Sequence, residues 1–360
     1  MHAFFMRKAL QLAERGRATT SPNPMVGALV VDDEGVIVGR GAHEVAGGPH
    51  AEVYALRDAG PRARGATLYC TLEPCTHVGR TGPGAPLVAE AGIKRVVIAT
   101  EDPNALAAGG AAWLRGRGIE VLSGVLADEA NRLNAAFFTR VQRLRPYVTM
   151  KAALSLDGRI AAAPGKRTPI TGAAAARLVH RDRAEVDAIA VGSGTILTDD
   201  PLLTARGAFR HRPLVRVIYD RRLRTPPGAR VFRTLEAGPV IIACTSQSVE
   251  SSRARADELE ARGAELLVMD GGRLRASLEA LGARGISSLV VEGGALLHAA
   301  FWDANLVDRV QICVGAEVLG DAGVRWLEGQ VMSASRISGR TAVPVGAGDT
   351  LLEGHVHGAD

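Results

Sequence analysis

The feature that most constrains this chain is a pair of short motifs, His50-Ala51-Glu52 and Thr71-Leu72-Glu73-Pro74-Cys75. Histidine and cysteine are the side chains that most often hold zinc in proteins. Glu52 lies two residues after His50, so the two side chains do not share one face of a helix. We therefore expect His50 and Cys75 to be metal ligands, and Glu52 to move protons to and from a metal-bound water.

An H-x-E tripeptide followed at short range by Pro-Cys is typical of the zinc-dependent deaminases, in which one histidine and two cysteines hold the metal. We expect His50 to open a helix that ends near Ala59. Cys75 follows a β-rich run and Pro74, which predicts a helix start where the positive end of the helix dipole favours a thiolate. The tripeptide alone occurs by chance, so its distance from Cys75 is what indicates function.

The length of the chain, 360 residues, exceeds what one hydrophobic core usually supports, so we expect two domains. Four cysteines are too few for a disulfide scaffold and fit a reducing compartment. No apolar run reaches the length of a membrane span, and residues 1–11 do not resemble a signal peptide. We expect a cytoplasmic protein that makes no contact with a membrane.

The net charge of +5 is carried almost entirely by arginines, which are scattered along the chain. Only four of the 43 basic residues are lysines, at positions 8, 94, 151 and 166. A nucleic-acid-binding protein usually gathers its basic residues into one tract or face. The pattern therefore predicts no nucleic-acid partner, and small anionic molecules such as phosphates are the expected ligands.

Strand-like and helix-like segments alternate along the chain, which is typical of an α/β fold. Residues 1–145 predict an α/β/α sandwich, including one helix over residues 126–141. Arg143 to Pro146 forms the expected boundary. Residues 146–360 predict a second α/β domain that opens with a strand from Tyr147 to Leu154, and the last thirty residues predict a closing antiparallel element.

The second domain contains a buried strand followed by Glu292-Gly293-Gly294 and a helix start. Glycines in such a turn let a phosphate approach free backbone N–H groups, although a plain strand-to-helix turn would have the same sequence. Gly192-Ser193-Gly194 predicts a second loop of close approach. The third glycine of the Rossmann fingerprint is missing, so a doubly wound dinucleotide-binding fold is not indicated.

With these residues in hand, the chain resembles the bifunctional deaminase/reductases of riboflavin biosynthesis. The resemblance rests on the order and spacing of motifs along nearly the whole chain: 21–24 (Ser-Pro-Asn-Pro), 50–52, 71–75, 79–81 (Gly-Arg-Thr), 102–104 (Asp-Pro-Asn), 155–159, 198–201, 203–206 and 291–294. It implies a cytidine-deaminase-like α/β/α sandwich over residues 1–145 and a dihydrofolate-reductase-like α/β domain over residues 146–360.

The resemblance implies two successive steps on one phosphorylated pyrimidine. The first domain would deaminate 2,5-diamino-6-ribosylamino-4(3H)-pyrimidinone 5′-phosphate with zinc. The second would use NADPH to reduce the ribosyl group to ribityl. A homo-oligomer is expected.

The family pattern also implies a role for each matching position of this sequence. In the deaminase domain Glu52 would be catalytic and His50 and Cys75 would hold zinc, while the substrate would contact Asn23, His77, Arg80, Asp102 and Asn104. In the reductase domain the substrate would contact Lys151, Thr168, Arg183, Asp200, Leu203, Arg206 and Glu292, with Arg183 and Arg206 on its phosphate. NADPH would contact Leu154, Ile170, Thr171, Gly192, Thr195, Asp199, Arg221, Gly293 and Gly294.

The chain departs from the family pattern at the third zinc ligand. The family has a cysteine where this chain has Gly84, and glycine has no side chain to bind a metal. Catalytic zinc usually has three protein ligands and one open position. Cys70 would have to turn inward to replace the missing cysteine, and His77 is the other nearby donor. We expect an incomplete zinc site and an impaired deaminase.

Three readings of function follow. The first is the two-step enzyme with a weakened deaminase. The alternative is a reductase only, whose first domain is a scaffold or a binding module, and Gly84 is its sole support. A third, a deaminase of nucleic-acid bases, predicts a clustered basic surface and no NADPH-binding half, and this sequence shows the reverse.

Overall fold

The computed structural model describes residues 1–77, 82–327, 332 and 334–356. The chain divides into two compact units, Met1–Leu144 and Arg145–Asp360. Among the described residues, no helix has both the length and the apolar character that crossing a membrane requires.

The first unit is a five-stranded sheet with helices on both of its faces. The strands are β1 (Gly27–Val31), β2 (Ile37–Ala42), β3 (Thr67–Leu72), β4 (Arg95–Thr100) and β5 (Glu120–Ser123), in the order β2-β1-β3-β4-β5. The helices are α1 (His2–Ala13), α2 (Ala51–Ala59), α3 (Gly84–Glu90), α4 (Gly110–Arg115), α5 (Ala127–Leu133) and α6 (Ala135–Arg143). Strand β1 is antiparallel to β2 and β3, whereas β3, β4 and β5 are parallel.

Both faces of this sheet are buried, because successive side chains of a strand point to opposite faces. Leu68 and Cys70 of β3 pack in the core that α2, α3 and α4 cover. Tyr69, between them, packs in the opposite core with residues of α1 and α5. The predicted α/β/α sandwich is therefore what the chain forms.

Two local predictions in this unit are wrong. Cys75 does not start a helix: it lies in a segment without regular structure, and α3 begins at Gly84 after Pro83 as its N-cap. The helix expected over residues 126–141 is broken at Asn134. The side chain of Asn134 accepts a hydrogen bond from the Met25 backbone N–H at 2.7 Å and donates to the Met25 carbonyl at 2.9 Å, which fixes the break against a distant loop.

The second unit is built on a nine-stranded sheet in the order β11-β10-β9-β8-β12-β6-β13-β16-β15. Its strands are β6 (Tyr147–Leu154), β8 (Ala188–Gly192), β9 (Val215–Tyr219), β10 (Val240–Cys244), β11 (Ala264–Val268), β12 (Ser288–Val291), β13 (Arg309–Val314), β15 (Ile337–Val345) and β16 (Asp349–Val356). Two short strands, β7 (Arg159–Ala161) and β14 (Val324–Arg325), pair separately. The helices are α7 (Ala173–Glu185), α8 (Ser193–Asp199), α9 (Ser246–Ser251), α10 (Arg253–Ala261), α11 (Leu274–Ala283) and α12 (Ala295–Asp303).

The first seven strands in this sheet order, from β11 across to β13, run parallel to one another. The last three, β13, β16 and β15, are antiparallel, as predicted for the end of the chain. In open parallel sheets, ligands bind outside the carboxyl ends of the strands. Here Gly192, Tyr219, Cys244 and Val291 are the last residues of four such strands. A site is therefore expected at that edge of the sheet.

One expectation about this edge needs correction. Gly192-Ser193-Gly194 forms a direct strand-to-helix turn rather than a loop, because Ser193 begins α8 directly after β8 ends at Gly192. Lys151 lies in the middle of β6, where it pairs with Gln311 of β13.

Candidate active sites

A cleft of about 390 Å³ in the first unit gathers most of the residues predicted for the deaminase. Its walls include Asn23, His50, Glu52, Cys75, His77, Asp102 and Asn104. Arg80, the other residue predicted to bind substrate here, lies outside the described residues. Side chains from distant parts of the sequence thus meet in one cavity.

The centre of this cleft is His50, which is the N-cap of α2. Its Nδ1 lies 3.6 Å from Cys75 Sγ and 3.4 Å from Glu52 Oε1. Hydrogen bonds to Cys75 and Glu52 raise the pKa of His50 to about 10. Glu52 is buried within the first turn of α2, so its carboxylate has a well-defined position beside the histidine.

Gly84, the first residue of α3, faces the same carboxylate. A Cβ atom placed on Gly84 would lie only 1.8 Å from Glu52 Oε1 and 2.8 Å from the carboxyl carbon. Real Cβ contacts are never this short, so a side chain at position 84 requires Glu52 to move. The Glu52 carboxylate therefore fills the space in which the side chain of a cysteine at position 84 would begin.

The other candidates for a third metal ligand are poorly placed. Cys70 is fully buried on β3, and burial raises the pKa of its thiol well above the ordinary value, which disfavours the thiolate that binds metal. His77 is exposed, and its backbone carbonyl lies 3.8 Å from Cys75 Sγ. No group of three metal-binding side chains is present in the described part of the chain. The donor set does not fit a tightly held zinc.

Sequence reasoning missed two residues that shape this cleft, His43 and Glu73. Nε2 of His43 accepts a hydrogen bond from the Asn23 amide at 3.3 Å, while its Nδ1 donates to the Pro49 carbonyl at 3.0 Å. Glu73 accepts from the backbone N–H groups of Asp102 and Ala111, at 3.2 and 2.8 Å. Glu73 was visible in the T-L-E-P-C motif, whereas His43 gave no signal of its own.

The second unit contains a larger cavity, of about 1610 Å³, at the carboxyl ends of its parallel strands. Residues predicted to bind substrate or NADPH form much of its wall: Lys151, Thr168, Ile170, Thr171, Gly192, Thr195, Asp199, Arg221, Glu292 and Gly294. Sequence reasoning missed Arg224, Thr245, Ser248 and His298, which line the same cavity.

Two glycines and a group of basic and hydroxyl side chains in and beside this cavity suit a dinucleotide with an additional phosphate. At Gly293 a Cβ atom would lie 2.8 Å from the Gly192 nitrogen, and Gly294 has a φ of +46°, so both positions favour glycine. At the ends of β9 and β10 lie three arginines and a group of hydroxyls: Arg221, Arg222, Arg224, Thr245 and Ser248. Guanidinium groups there suit a phosphate on the adenosine ribose.

Six predicted residues do not line this cavity: Leu154, Arg183, Asp200, Leu203, Arg206 and Gly293. The side chains of Leu154 and Leu203 are buried, so only their backbone atoms would reach a ligand. The Asp200 carboxylate accepts a hydrogen bond from the Arg230 backbone N–H at 2.8 Å. Arg206 is exposed, with its guanidinium 3.3 Å from His180 Nε2.

Arg183 forms a bidentate ion pair with Glu292. Its Nε donates to Oε1 at 2.8 Å and a terminal nitrogen donates to Oε2 at 2.6 Å. Burial alone would raise the pKa of Glu292, but Arg183 outweighs it and lowers that pKa to about 2. Lys151 is close enough to lower the pKa further. Glu292 is therefore anionic at every physiological pH.

Comparison with known proteins matches both units to described families. Residues 146–346 match the family described as the RibD C-terminal domain. Residues 1–100 match the zinc-binding region of cytidine and deoxycytidylate deaminases. The predicted fold class, a deaminase-like sandwich followed by a reductase-like α/β domain, is thus confirmed.

Full-length relatives and solved structures agree with these matches. The chain is 42% identical to the riboflavin biosynthesis protein RibD of Aquifex aeolicus, over 90% of this chain and 91% of that protein. RibD of Acinetobacter baumannii superposes with a TM-score of 0.86 at 35% identity, covering 99% of both chains. A Thermotoga maritima structure, named as a diaminohydroxyphosphoribosylaminopyrimidine deaminase/5-amino-6-(5-phosphoribosylamino)uracil reductase, has a TM-score of 0.84 at 36% identity, over 99% of this chain and 98% of that one.

Identity of this extent over the whole chain, with both halves matched in sequence and in fold, leaves one assignment. The chain belongs to the RibD family of riboflavin-biosynthesis enzymes, which join a zinc-dependent deaminase to an NADPH-dependent reductase.

Proposed function

We propose that residues 1–145 carry the deaminase site and residues 146–360 the reductase site, acting in turn on one pyrimidine ribose phosphate. The single observation that carries this proposal is the gathering of predicted residues into one cleft in each unit. The substrate of the first step is 2,5-diamino-6-ribosylamino-4(3H)-pyrimidinone 5′-phosphate, which loses its 2-amino group. The product of the second step carries a ribityl chain.

In the reductase site, NADPH supplies the hydride that reduces the sugar carbon. The residues of this chain bind and orient the substrate. Lys151 and the anionic Glu292 line one cavity and provide a donor and an acceptor for sugar hydroxyls. Arg206, which is exposed, would hold the 5′-phosphate. Such fixed groups orient the reacting carbon before the hydride is transferred.

In the deaminase site, Asn23, Asp102 and Asn104 would hold the pyrimidine and ribose phosphate. His43 supports the Asn23 amide, and Glu73 holds the backbone of the Asp102 loop, so these contacts are already formed. The described cleft is therefore suited to bind the diamino compound, whatever the state of its metal ligands.

We further propose that the deaminase step is impaired, because Gly84 provides no third zinc ligand. The position of the Glu52 carboxylate beside Gly84 and the burial of Cys70 support this. The runner-up is a reductase whose first unit only binds the substrate. The same observation at Gly84 favours this alternative. It differs from the impaired two-step enzyme because it predicts no ammonia release even when zinc is abundant.

Two assays on the purified full chain test these proposals. NADPH oxidation with the deaminated ribosyl compound measures the second step, and ammonia release from the diamino compound with added zinc measures the first. We expect ready NADPH oxidation and slow, zinc-dependent ammonia release. Absence of NADPH oxidation would contradict the proposed reductase, and rapid ammonia release without added zinc would contradict the impaired deaminase.

We further propose that the partner of the chain is a small-molecule substrate and that it binds neither a membrane nor nucleic acid. The scattered arginines support the last of these proposals. A cytoplasmic location and a homo-oligomer stay predictions. Cell fractionation tests the location, and light scattering of the purified chain tests the oligomer.

A further inference from the structure

A fully buried carboxylate precedes the arginines that follow β9. Asp220 comes directly after the last residue of β9 and lines the reductase cavity, and its side chain is fully buried. Its backbone N–H donates to the carbonyl of Ala243 on β10 at 2.9 Å, so the sheet fixes its position. Aspartate is rarely buried unless it is paired or hydrogen-bonded, so the partners of Asp220 indicate its role.

Asp220 closes the turn that follows β9. Its Oδ2 accepts hydrogen bonds from the Thr225 backbone N–H at 2.6 Å and from the Thr225 hydroxyl at 2.7 Å. Its carbonyl accepts from the Leu223 N–H at 3.2 Å. Leu223 is buried with a φ of +52°, a conformation that a leucine rarely adopts unless its surroundings impose it. The contacts of Asp220 therefore hold residues 220–225 in one defined shape.

This turn presents three arginines to the cavity. Arg221, Arg222 and Arg224 all line the cavity, and all three are exposed. The Thr245 hydroxyl donates to the Arg221 carbonyl at 3.1 Å, and Arg224 donates to the hydroxyl of Ser193, the first residue of α8, at 2.7 Å. The shape of the turn thus decides where the three guanidinium groups begin.

The second carboxylate oxygen of Asp220 is an additional cost to the fold. Oδ1 is buried and has no hydrogen-bond partner among the described residues. A buried polar atom without a partner lowers stability, so folding alone would not favour an aspartate at this position. Proteins accept such local costs mainly at functional sites, which indicates that the turn serves the cavity.

We propose that Asp220 is a positioning residue that sets the preference of the reductase for NADPH over NADH. It shapes the turn from which Arg221, Arg222 and Arg224 reach the phosphate on the adenosine ribose. This inference rests on the proposed reductase function and adds the origin of its cofactor preference. NADPH and NADH differ only in that phosphate, so a residue that acts through the three arginines should affect the binding of NADPH alone.

Substitutions of Asp220 test the proposal in the full chain, with NADPH or NADH oxidised in the presence of the deaminated ribosyl compound. D220A removes both hydrogen bonds to Thr225. We expect the KM for NADPH to rise about 10-fold, as for the loss of hydrogen bonds to a charged group, and the KM for NADH to stay nearly unchanged. D220N retains an oxygen that can accept both bonds and should recover most of the loss. An equal rise for both cofactors in D220A would overturn the proposal, and so would a D220N as impaired as D220A.

T225V tests the same turn with a smaller change, which keeps the test decisive if D220A folds poorly. Valine has nearly the volume of threonine, so only the hydroxyl and its hydrogen bond to Asp220 are lost. We expect the KM for NADPH to rise about 3-fold, as for one neutral hydrogen bond, with no change for NADH. A KM for NADPH equal to that of the wild type in a correctly folded T225V would count against the role of the turn.

The matched control is D187A, because Asp187 is also a buried carboxylate that holds a loop. It accepts hydrogen bonds from the backbone N–H groups of Ser287 and Ser288, at 2.8 and 3.0 Å. It precedes β8, and the amino end of that strand lies at the edge of the sheet away from the cavity. D187A should lower the temperature of thermal unfolding and leave the KM for both cofactors unchanged. If it raises the KM for NADPH as much as D220A does, lost stability explains the effect and the proposal is overturned.

Failure of this inference and failure of the proposed function give different results. If the wild-type chain does not oxidise NADPH with the deaminated compound, the proposed function fails. If the wild type is active and prefers NADPH, and D220A keeps the same ratio of the two KM values, only the role of Asp220 fails.

Discussion

Glu52 of the first unit and Glu292 of the second each line a cleft with less than a tenth of the side chain exposed, and the surroundings of the two carboxylates differ. Glu292 is paired with Arg183 through two hydrogen bonds, and His298 donates a hydrogen bond to the carbonyl of Val291, the residue before it. Glu52 has His50 at 3.4 Å, and its carboxylate lies beside Gly84, where a Cβ atom would be 1.8 Å away. The Glu292 carboxylate is held by partners, whereas the Glu52 carboxylate occupies space that a side chain at position 84 would otherwise fill.

This difference shows how two sites of one chain can be complete to different degrees. In the second unit, Arg183 pairs with Glu292, and Lys151 is close enough to lower the pKa of the same carboxylate. The deaminase cleft keeps its substrate-facing loops and loses one metal donor, which leaves the surrounding packing intact. We infer that the loss at position 84 affects chemistry much more than folding.

The largest expected effect comes from restoring the missing donor. G84C should raise zinc affinity at least about 100-fold, since even the loss of a residue that only supports a ligand costs 10–100-fold. Ammonia release from the diamino compound should rise in parallel. The Glu52 carboxylate must swing away from position 84, and it is the flexible end of its side chain, so the fold should tolerate the change.

The matched control is G84A, whose methyl group also displaces the Glu52 carboxylate but binds no metal. It should leave zinc content and ammonia release at the wild-type level. If G84A restores ammonia release as well as G84C does, the wild-type reaction is limited by the position of Glu52 and not by the missing zinc ligand. NADPH oxidation should be the same in both variants and the wild type.

The next largest effect compares the two glutamates directly. E292Q leaves the buried Arg183 charge without a partner, and we expect the second unit to lose about 3 kcal/mol of stability. E52Q removes the carboxylate that pairs with His50, whose side chain is 32% exposed, and we expect the first unit to lose about 1 kcal/mol or less. Hydrogen exchange of β12 and of α2 in the full chain measures both. A larger loss from E52Q would contradict the comparison.

The stabilising effect of Glu292 should depend on pH in a defined window. The pKa of Glu292 is lowered from 4.5 to about 2 in the folded chain, so its contribution is fully present above pH 4.5. It should decline as the pH falls towards 2, where the folded carboxylate becomes protonated. The stability difference between wild type and E292Q should therefore be constant from pH 7 to 5 and shrink below that. A difference unchanged at pH 2.5 would show that charge is not its cause.

The smallest effect concerns the choice of nicotinamide cofactor. R221Q should raise the KM for NADPH about 10-fold, as for the loss of one hydrogen bond to a charged group, and leave the KM for NADH unchanged. Steady-state NADPH and NADH oxidation measures both. An equal rise for the two cofactors would place Arg221 at a part of the dinucleotide that they share.

The sequence predicted the architecture well, because its strands and helices alternate and the central strands of both large sheets are apolar on both faces. It also predicted which residues share a cleft, since Asn23, His50, Cys75 and Asp102 belong to motifs of recognisable spacing. The expected helix start at Cys75 failed because the thiol lies in an irregular segment before α3. The break at Asn134 depends on a hydrogen bond to Met25, more than one hundred residues away, which no local pattern contains.

The partners of charged groups were the least predictable part. Arg183 matches the position of a phosphate ligand, but three-dimensional packing places it on Glu292. His298 gave no signal, because a lone histidine in an apolar helix has the same sequence whether or not it supports a site. Such pairings depend on distances across the fold, and spacing along the chain does not contain them.

The zinc content of the wild-type chain tests the central claim most directly. The full chain is purified from zinc-supplemented cells, dialysed without chelator, and analysed for elemental zinc together with G84C prepared in the same way. The incomplete donor set predicts well under one zinc per wild-type chain and close to one per G84C chain. One zinc per wild-type chain that survives dialysis, with ammonia release equal to that of G84C, would contradict it.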